Sequence, residues 1–214
     1  MGEDTGTWEV GEVKFPLSEA FRISVENIRK RLVRALITAA SVTLGIAFLI
    51  SLLLMTSFQA GASEGIRPYM YWVLFISLLV CGVGITNSML IAVGERYKEI
   101  GTYKTLGALD KHILELFLFE AIIIGGIGGL AGYLLGLISA LIYAATKPGI
   151  GVAKALSVLA SPYPGIPFLA GMPSVLSLFI LGLGLAIALS LVATLYPAYY
   201  AAKLNPVEAL RYEI

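Results

Sequence analysis

Charge is missing from most of this 214-residue sequence. Ala35–Ser63, Pro68–Gly94, Ala121–Thr146 and Ala155–Ala202 contain no Asp, Glu, Lys or Arg, and together hold 130 residues. The 29 charges are confined to the other 84 positions, so 14% of the chain is charged where soluble domains run near ~25%. With 58% hydrophobic residues and a mean hydropathy of +0.87, a soluble fold of this size has no core able to hide so much apolar surface. A soluble enzyme and a disordered chain are excluded. A net charge of +1 offers no basic face to a phosphate backbone, so no nucleic acid is expected as a partner.

Other scarcities narrow the chemistry. One cysteine, Cys81, permits no internal disulfide, and within the second apolar run it reads as a small packing residue. One histidine, His112, cannot supply an HExxH metal cluster. There is no GxSxG elbow and no GxxxxGK[ST] loop; the nearest fragment, GIGVAKALS from Gly149, lacks the Gly-Lys-Ser/Thr ending. The chain is therefore expected to be no enzyme, with no catalytic residue, metal or cofactor of its own. The expected spans hold no charge, which argues against proton- or ion-coupled transport. Met1–Phe15 carries Glu3, Asp4, Glu9 and Glu12 before any apolar run, unlike a secretory signal.

What remains is long apolar runs. Ala35–Met55, Tyr69–Val93, Ala121–Tyr143 and Ser174–Leu195 each suffice to cross a ~30 Å hydrocarbon layer as a helix. Pro162, Pro164, Pro167 and Pro173 break the front of the longest run, making it one loop and one span. Lys and Arg number six before the first span, four in the second loop and two in the tail, against one and two in the other loops. The positive-inside rule puts both termini in the cytoplasm. The outer loops are then Thr56–Pro68 and Ala144–Pro173, the second a Pro/Gly-rich cap. The expected fold class is an all-α polytopic membrane protein with four transmembrane helices, an amphipathic N-terminal interfacial helix and a short cytoplasmic coupling helix.

Residues 1–34 form the cytoplasmic N-terminal segment and 35–214 the four-span domain. In Ser18–Arg34, Phe21, Val25, Ile28 and Leu32 make one apolar stripe among basic residues, a helix for the membrane interface leading straight into the first span. Thr7–Phe15 alternates imperfectly, like a short strand. In the second loop, 94–120, Glu95 to Glu99 continue the second helix past the membrane, Gly101 loosens it, and Gly107 ends a short helix over Thr102–Leu106. Asp110 has the chemistry to cap the next helix. Two glycine hinges around Ile100, Tyr103 and Leu106 read as a docking element rather than a plain turn.

Gly125, Gly128, Gly129, Gly132 and Gly136 place small residues along the third span for close helix approach, either within the chain or to a second copy. Asn87 is the strongest polar residue in a span, reading as interhelical glue before substrate contact. Pro197 sits where the fourth span ends, and Asn205, Pro206 and Glu208 are start signals for a tail helix over 205–214.

Asn87–Ala121 and Tyr196–Glu213 together resemble the FtsX/MacB-like permeases of ATP-binding-cassette (ABC) systems. Glu95, Arg96, Glu99, Ile100, Gly101, Leu106, Gly107 and Ala108 match an E-R-x-x-E-I-G-x-x-x-x-L-G-A loop, and the tail matches P-A-x-x-A-A-x-x-x-P-x-x-A-L-R-x-E. Asn27–Leu54 is also similar. The resemblance implies a permease subunit of a prokaryotic cytoplasmic membrane, paired with a second copy or a paralogue. It also implies docking on a separate cytoplasmic ATPase that binds ATP and Mg. Glu95–Ala108, with Tyr103 and Lys104, would be the ATPase-docking coupling loop, and ATP-driven motion would act by mechanotransmission. Relatives usually insert a large extracytoplasmic domain where this chain has Thr56–Pro68, which favours moving a hydrophobic or amphipathic substrate at the membrane itself. The alternative is an ATPase-coupled signalling protein with no transported substrate.

Overall fold

The computed structural model describes residues 17–59, 68–147, 151–162 and 171–205. The expected strand at Thr7–Phe15 and the tail helix beyond Asn205 lie outside the described residues. Seven helices are described: α1 (Leu17–Lys30), α2 (Leu32–Gln59), α3 (Pro68–Glu95), α4 (Tyr97–Thr105), α5 (Asp110–Thr146), α6 (Gly151–Ala160) and α7 (Ser174–Ala202). Among the described residues there is no strand, only an isolated antiparallel bridge between Pro162 and Pro173. α2, α3, α5 and α7 are long and apolar enough to cross a membrane, and the chain is an all-α polytopic membrane protein. Each outruns its expected span, because backbone bonding continues where the hydrocarbon stops; α5 begins at Asp110 and ends at Thr146.

α5 is the axis of the bundle, packed between α2 and α7, and its glycines show why. A methyl group at Gly132 would lie 2.8 Å from both the Ile46 Cβ and the Thr43 carbonyl oxygen. At Gly136 it would lie 2.8 Å from the Ala47 carbonyl and the Ile50 Cβ, and at Gly128 2.7 Å from the Val42 Cβ. These three face α2. Gly125 and Gly129 face α7, where a methyl group would meet Ser190 Oγ at 2.8 Å and the Ala186 Cβ at 2.7 Å. The stripe the sequence left open between intrachain and interchain packing is filled from within the chain. Lipid offers no hydrophobic drive between apolar helices, so close backbone approach is what binds them.

α3 is the peripheral span. Only 17% of its most apolar stretch is buried, against 44% for α5. It touches α2 where Gly45 meets Cys81 and where the Thr38 and Ser88 hydroxyls hydrogen-bond. It touches α7 at a proline. Pro197 was expected to end the fourth span, yet α7 continues to Ala202 with Pro197 buried inside it. Proline has no N–H for the carbonyl four residues back, which here is Ala193. Thr86 Oγ1 of α3 donates to that carbonyl at 2.9 Å and also lies 3.0 Å from the Gly82 carbonyl of its own helix. The helix survives its proline because a neighbour supplies the missing donor.

Three other expectations are revised. Ala144–Pro173 is not all loop: α6 packs there, with Ala155 and Leu159 buried, and Ser174 closes the connection by donating from N and Oγ to the Ser161 carbonyl at 2.8 and 2.6 Å. α1 does not run straight into α2, since Arg31 breaks the helix between them. α1 meets α5 through Ser24, whose hydroxyl donates to the Leu116 carbonyl at 3.3 Å, while Val25 and Leu32 of the expected stripe face outward. Asn87 glues nothing among the described residues; it is exposed on the outer face of α3.

Candidate coupling site

Apart from Lys147 and Lys154, the described charged residues gather at one end of the bundle, where α1, α4 and the ends of α2, α3, α5 and α7 meet. Both helix interruptions here fall on a single arginine. α1 and α2 part at Arg31; α3 and α4 part at Arg96, with φ −105° and ψ 13°. Each arginine turns to a carboxylate. Arg31 pairs with Glu95, and its other guanidinium nitrogen approaches Glu99 at 3.8 Å. Arg34 also pairs with Glu95 and reaches Glu120 at 3.9 Å. Arg96 and Glu120 form two bonds, at 2.9 and 3.4 Å, with both side chains 3% exposed.

The break between α3 and α4 is therefore not where glycine suggested. Gly101 was expected to loosen the chain, but it is buried in the middle of α4. The break occurs at Arg96 because its guanidinium must turn inward to neutralise Glu120. An unpaired charge at that depth would cost several kcal/mol, roughly. Glu120 escaped the sequence reading as a partner because it adjoins the third charge-free run; its place beside that run and the arginine at the end of the previous span were the available signals.

α4 is anchored on its inner side. Ile100, 3% exposed, packs with Val93, Ile113, Phe117, Ala198 and Leu204, so it is unavailable as the contact residue it was expected to be. Lys104 donates to the Leu204 carbonyl at 3.0 Å and pairs with Asp110 at 2.8 Å. Asp110 is not a cap: Leu109 holds that position, and Asp110 is the first residue of α5, where its charge suits the helix N-terminus. Just past α7, Lys203 sits 4.7 Å from the Tyr199 ring centre, and its hydrogen bond to Tyr199 holds its pKa above the ordinary lysine value.

The outer side of the same loop is bare. Tyr103 is 40% exposed, Leu106 81% and Leu109 60%. Gly107, at φ +93°, makes the left-handed turn that sets Leu106 and Leu109 on either side of it, and it faces open space. Between this turn, α1 and α5 lies a cavity of about 180 Å³ lined by Ile23, Tyr103, Leu106, Ala108, Ile113 and Leu116 among others. Glu95 and Glu99 stay half-exposed at its edge of the bundle. The ten predicted docking residues thus divide. Arg96, Ile100, Gly101 and Lys104 tie the loop to the spans. Tyr103, Leu106 and Gly107 face outward with Glu99, Glu95 closes the arginine network, and Ala108 is half-buried.

Residues 71–206 match the FtsX-like permease C-terminal family. YvrN of Bacillus subtilis (strain 168), described as an uncharacterized ABC transporter permease, is 41% identical over 138 residues, which cover 64% of this chain and 29% of that protein. The macrolide export ATP-binding/permease protein MacB of Syntrophobacter fumaroxidans is 34% identical over 161 residues, covering 74% of this chain and 19% of that protein. YknZ of Bacillus subtilis (strain 168), another uncharacterized ABC transporter permease, is 39% identical over 140 residues, 64% of this chain and 30% of its own length. The chain thus aligns with under a third of each of these relatives. With more than half of its residues inside the family match, an all-α four-span bundle and a turned-out loop between its second and third spans, this chain belongs to the FtsX-like family of ABC transporter permeases.

Proposed function

We propose that this chain is the membrane subunit of an ABC exporter, driven by a separate cytoplasmic ATPase and acting on a hydrophobic or amphipathic substrate by mechanotransmission. The observation that carries this reading is the two-sidedness of the α4 loop. Its outer side offers Tyr103, Leu106 and Leu109 to water, where apolar side chains of that size want a protein partner. Its inner side is fastened to α2, α5 and α7 by Glu95, Arg96, Ile100 and Lys104. A push on the outer side is delivered to three spans at once. In this reading the charged end faces the cytoplasm of a prokaryotic cell, both termini lie there, and ATP and Mg are bound by the partner. The ATP-binding/permease name of MacB supports the pairing of such a domain with an ATPase. A second copy or a paralogue completes the membrane unit.

Leu106→Asp is the direct test, because a side chain 81% exposed plays little part in the fold. The variant is expected to keep the unfolding midpoint of the native chain in detergent and lose co-purification with the cognate ATPase. Glu99→Lys and Tyr103→Asp should weaken docking less. Undiminished docking and ATPase stimulation in all three would sink the assignment. Vesicles holding chain and ATPase then separate export, in which substrate moves, from signalling, in which ATP turns over without it.

A further inference from the structure

Between α2 and α3, at the charged end of the bundle, an open groove of about 890 Å³ runs from the α1–α2 junction down toward the middle of the membrane layer. Its mouth is cationic: Arg29, Lys30, Arg31 and Arg34 line it against one carboxylate, Glu95, a surplus of three positive charges. Glu95 is already shared between Arg31 and Arg34, and Lys30 leans on Glu26 at 3.0 Å from outside the groove. Arg29 has no carboxylate partner among the described residues. Below the mouth Ile37 of α2, 62% exposed, and Ile91 of α3, 52% exposed, stand on opposite walls, with Ser41, Asn87 and Ser88 also lining the groove. Ile37 lies about 8 Å along α2 from its first residue, Leu32, at ~1.5 Å per residue, which carries it from headgroup level toward the acyl chains.

We propose that this groove is a binding site for one anionic phospholipid of the adjoining leaflet, its phosphate held by Arg29 and Lys30 and its acyl chain laid between Ile37 and Ile91. Cations over a trough with an exposed isoleucine on each wall fit a molecule with an anionic head and a hydrocarbon tail. A second copy of the chain fits less well. Two-fold pairing through this groove would set one cationic rim against another, and the nearby carboxylates Glu26, Glu95 and Glu99 are already engaged within the chain by Lys30, Arg31 and Arg34. A free phosphate would satisfy the rim but leave the trough unused. The site involves neither Leu106 nor the ATPase, so it stands or falls apart from the proposed transport function.

The test uses the full chain purified in detergent, titrated with dioleoylphosphatidylglycerol or dioleoylphosphatidylcholine and read by native mass spectrometry. The native chain is expected to retain one phosphatidylglycerol about fivefold or more in preference to phosphatidylcholine, the effect of roughly one interfacial cation or more. Arg29→Ala/Lys30→Ala, two exposed positions whose loss spares the packing, should bring the two lipids to parity. Ile91→Trp, filling the trough, should lose both lipids at an unchanged unfolding midpoint. Equal retention of both lipids by the native chain, or a preference that survives in the double alanine variant, would overturn the proposal. So would displacement of the lipid by millimolar inorganic phosphate, which makes it a phosphate site. Cross-linking of Ile91→Cys between two copies, with no lipid retained, would make it a protein interface.

Discussion

In the middle of the bundle α5 approaches α2 and α7 with almost no side chain between them, the Gly128–Gly132–Gly136 row lying directly on carbonyl oxygens and β-carbons of α2. One end of the same helix is held differently. There Glu120 is buried against Arg96, and a chain of arginines and carboxylates leads out through Arg34 and Glu95 to Arg31 and Glu99. The first region depends on shape and dispersion, which are short-ranged and unforgiving of added volume. The second depends on charge, which is directional but can exchange partners. An element that must move as a unit is suited by the first; a junction between a moving loop and that unit is suited by the second.

The charged end should break hardest. Arg96→Ala leaves Glu120 buried beside Arg34 alone at 3.9 Å and is expected to cost about 3–5 kcal/mol, read as a fall in the unfolding midpoint in detergent. Arg96→Met combined with Glu120→Leu removes both charges and should recover most of that stability, because the penalty comes from the orphaned ion and not from the loss of the pair. If the pair also transmits motion, the double variant regains its stability and still fails to couple ATPase turnover to transport. Recovery of both would reduce Arg96–Glu120 to a packing contact.

Gly132→Ala in the middle of the bundle comes next, at about 1–3 kcal/mol, since the added methyl meets a main-chain oxygen that cannot rotate away. Its control is one turn and a half away. Gly126 has nothing within 4 Å of its would-be methyl, so Gly126→Ala should be neutral or stabilising by up to ~1 kcal/mol through helix propensity. Equal effects at the two positions would mean that the glycine row does not set the spacing of α2 and α5.

The spans and the glycine row were legible in the sequence because charge exclusion and a four-residue repeat are local patterns imposed directly by lipid and by helix geometry. The loop was legible as a motif, but its anatomy was not. Gly101 looked like the point of interruption from its intrinsic freedom, whereas the helix breaks at Arg96, which pairs with Glu120, 24 residues on; a pairing across helices leaves no periodic trace. Ile100 and Tyr103 were indistinguishable as apolar neighbours of a short helix, and only the docking of α4 on Phe117 and Ala198 sends one inward and the other out. Pro197 was misread for the same reason: local chemistry says stop, and the hydroxyl that lets the helix continue belongs to α3.

That hydroxyl gives the smallest and most discriminating test of the membrane-spanning region. Thr86→Val keeps the shape of the side chain and removes the donor to the Ala193 carbonyl, leaving that oxygen without the bond Pro197 denies it. Polar contacts between membrane helices average about 0.6 kcal/mol and reach about 1.7, so the expected loss lies in that range. Pro197→Ala returns an N–H to α7 and should make the same Thr86→Val change nearly silent. The coupling between the two substitutions, measured as a double-mutant cycle on unfolding midpoints, isolates this one bond from general packing. A cycle with no coupling would mean that α3 holds α7 by surface alone.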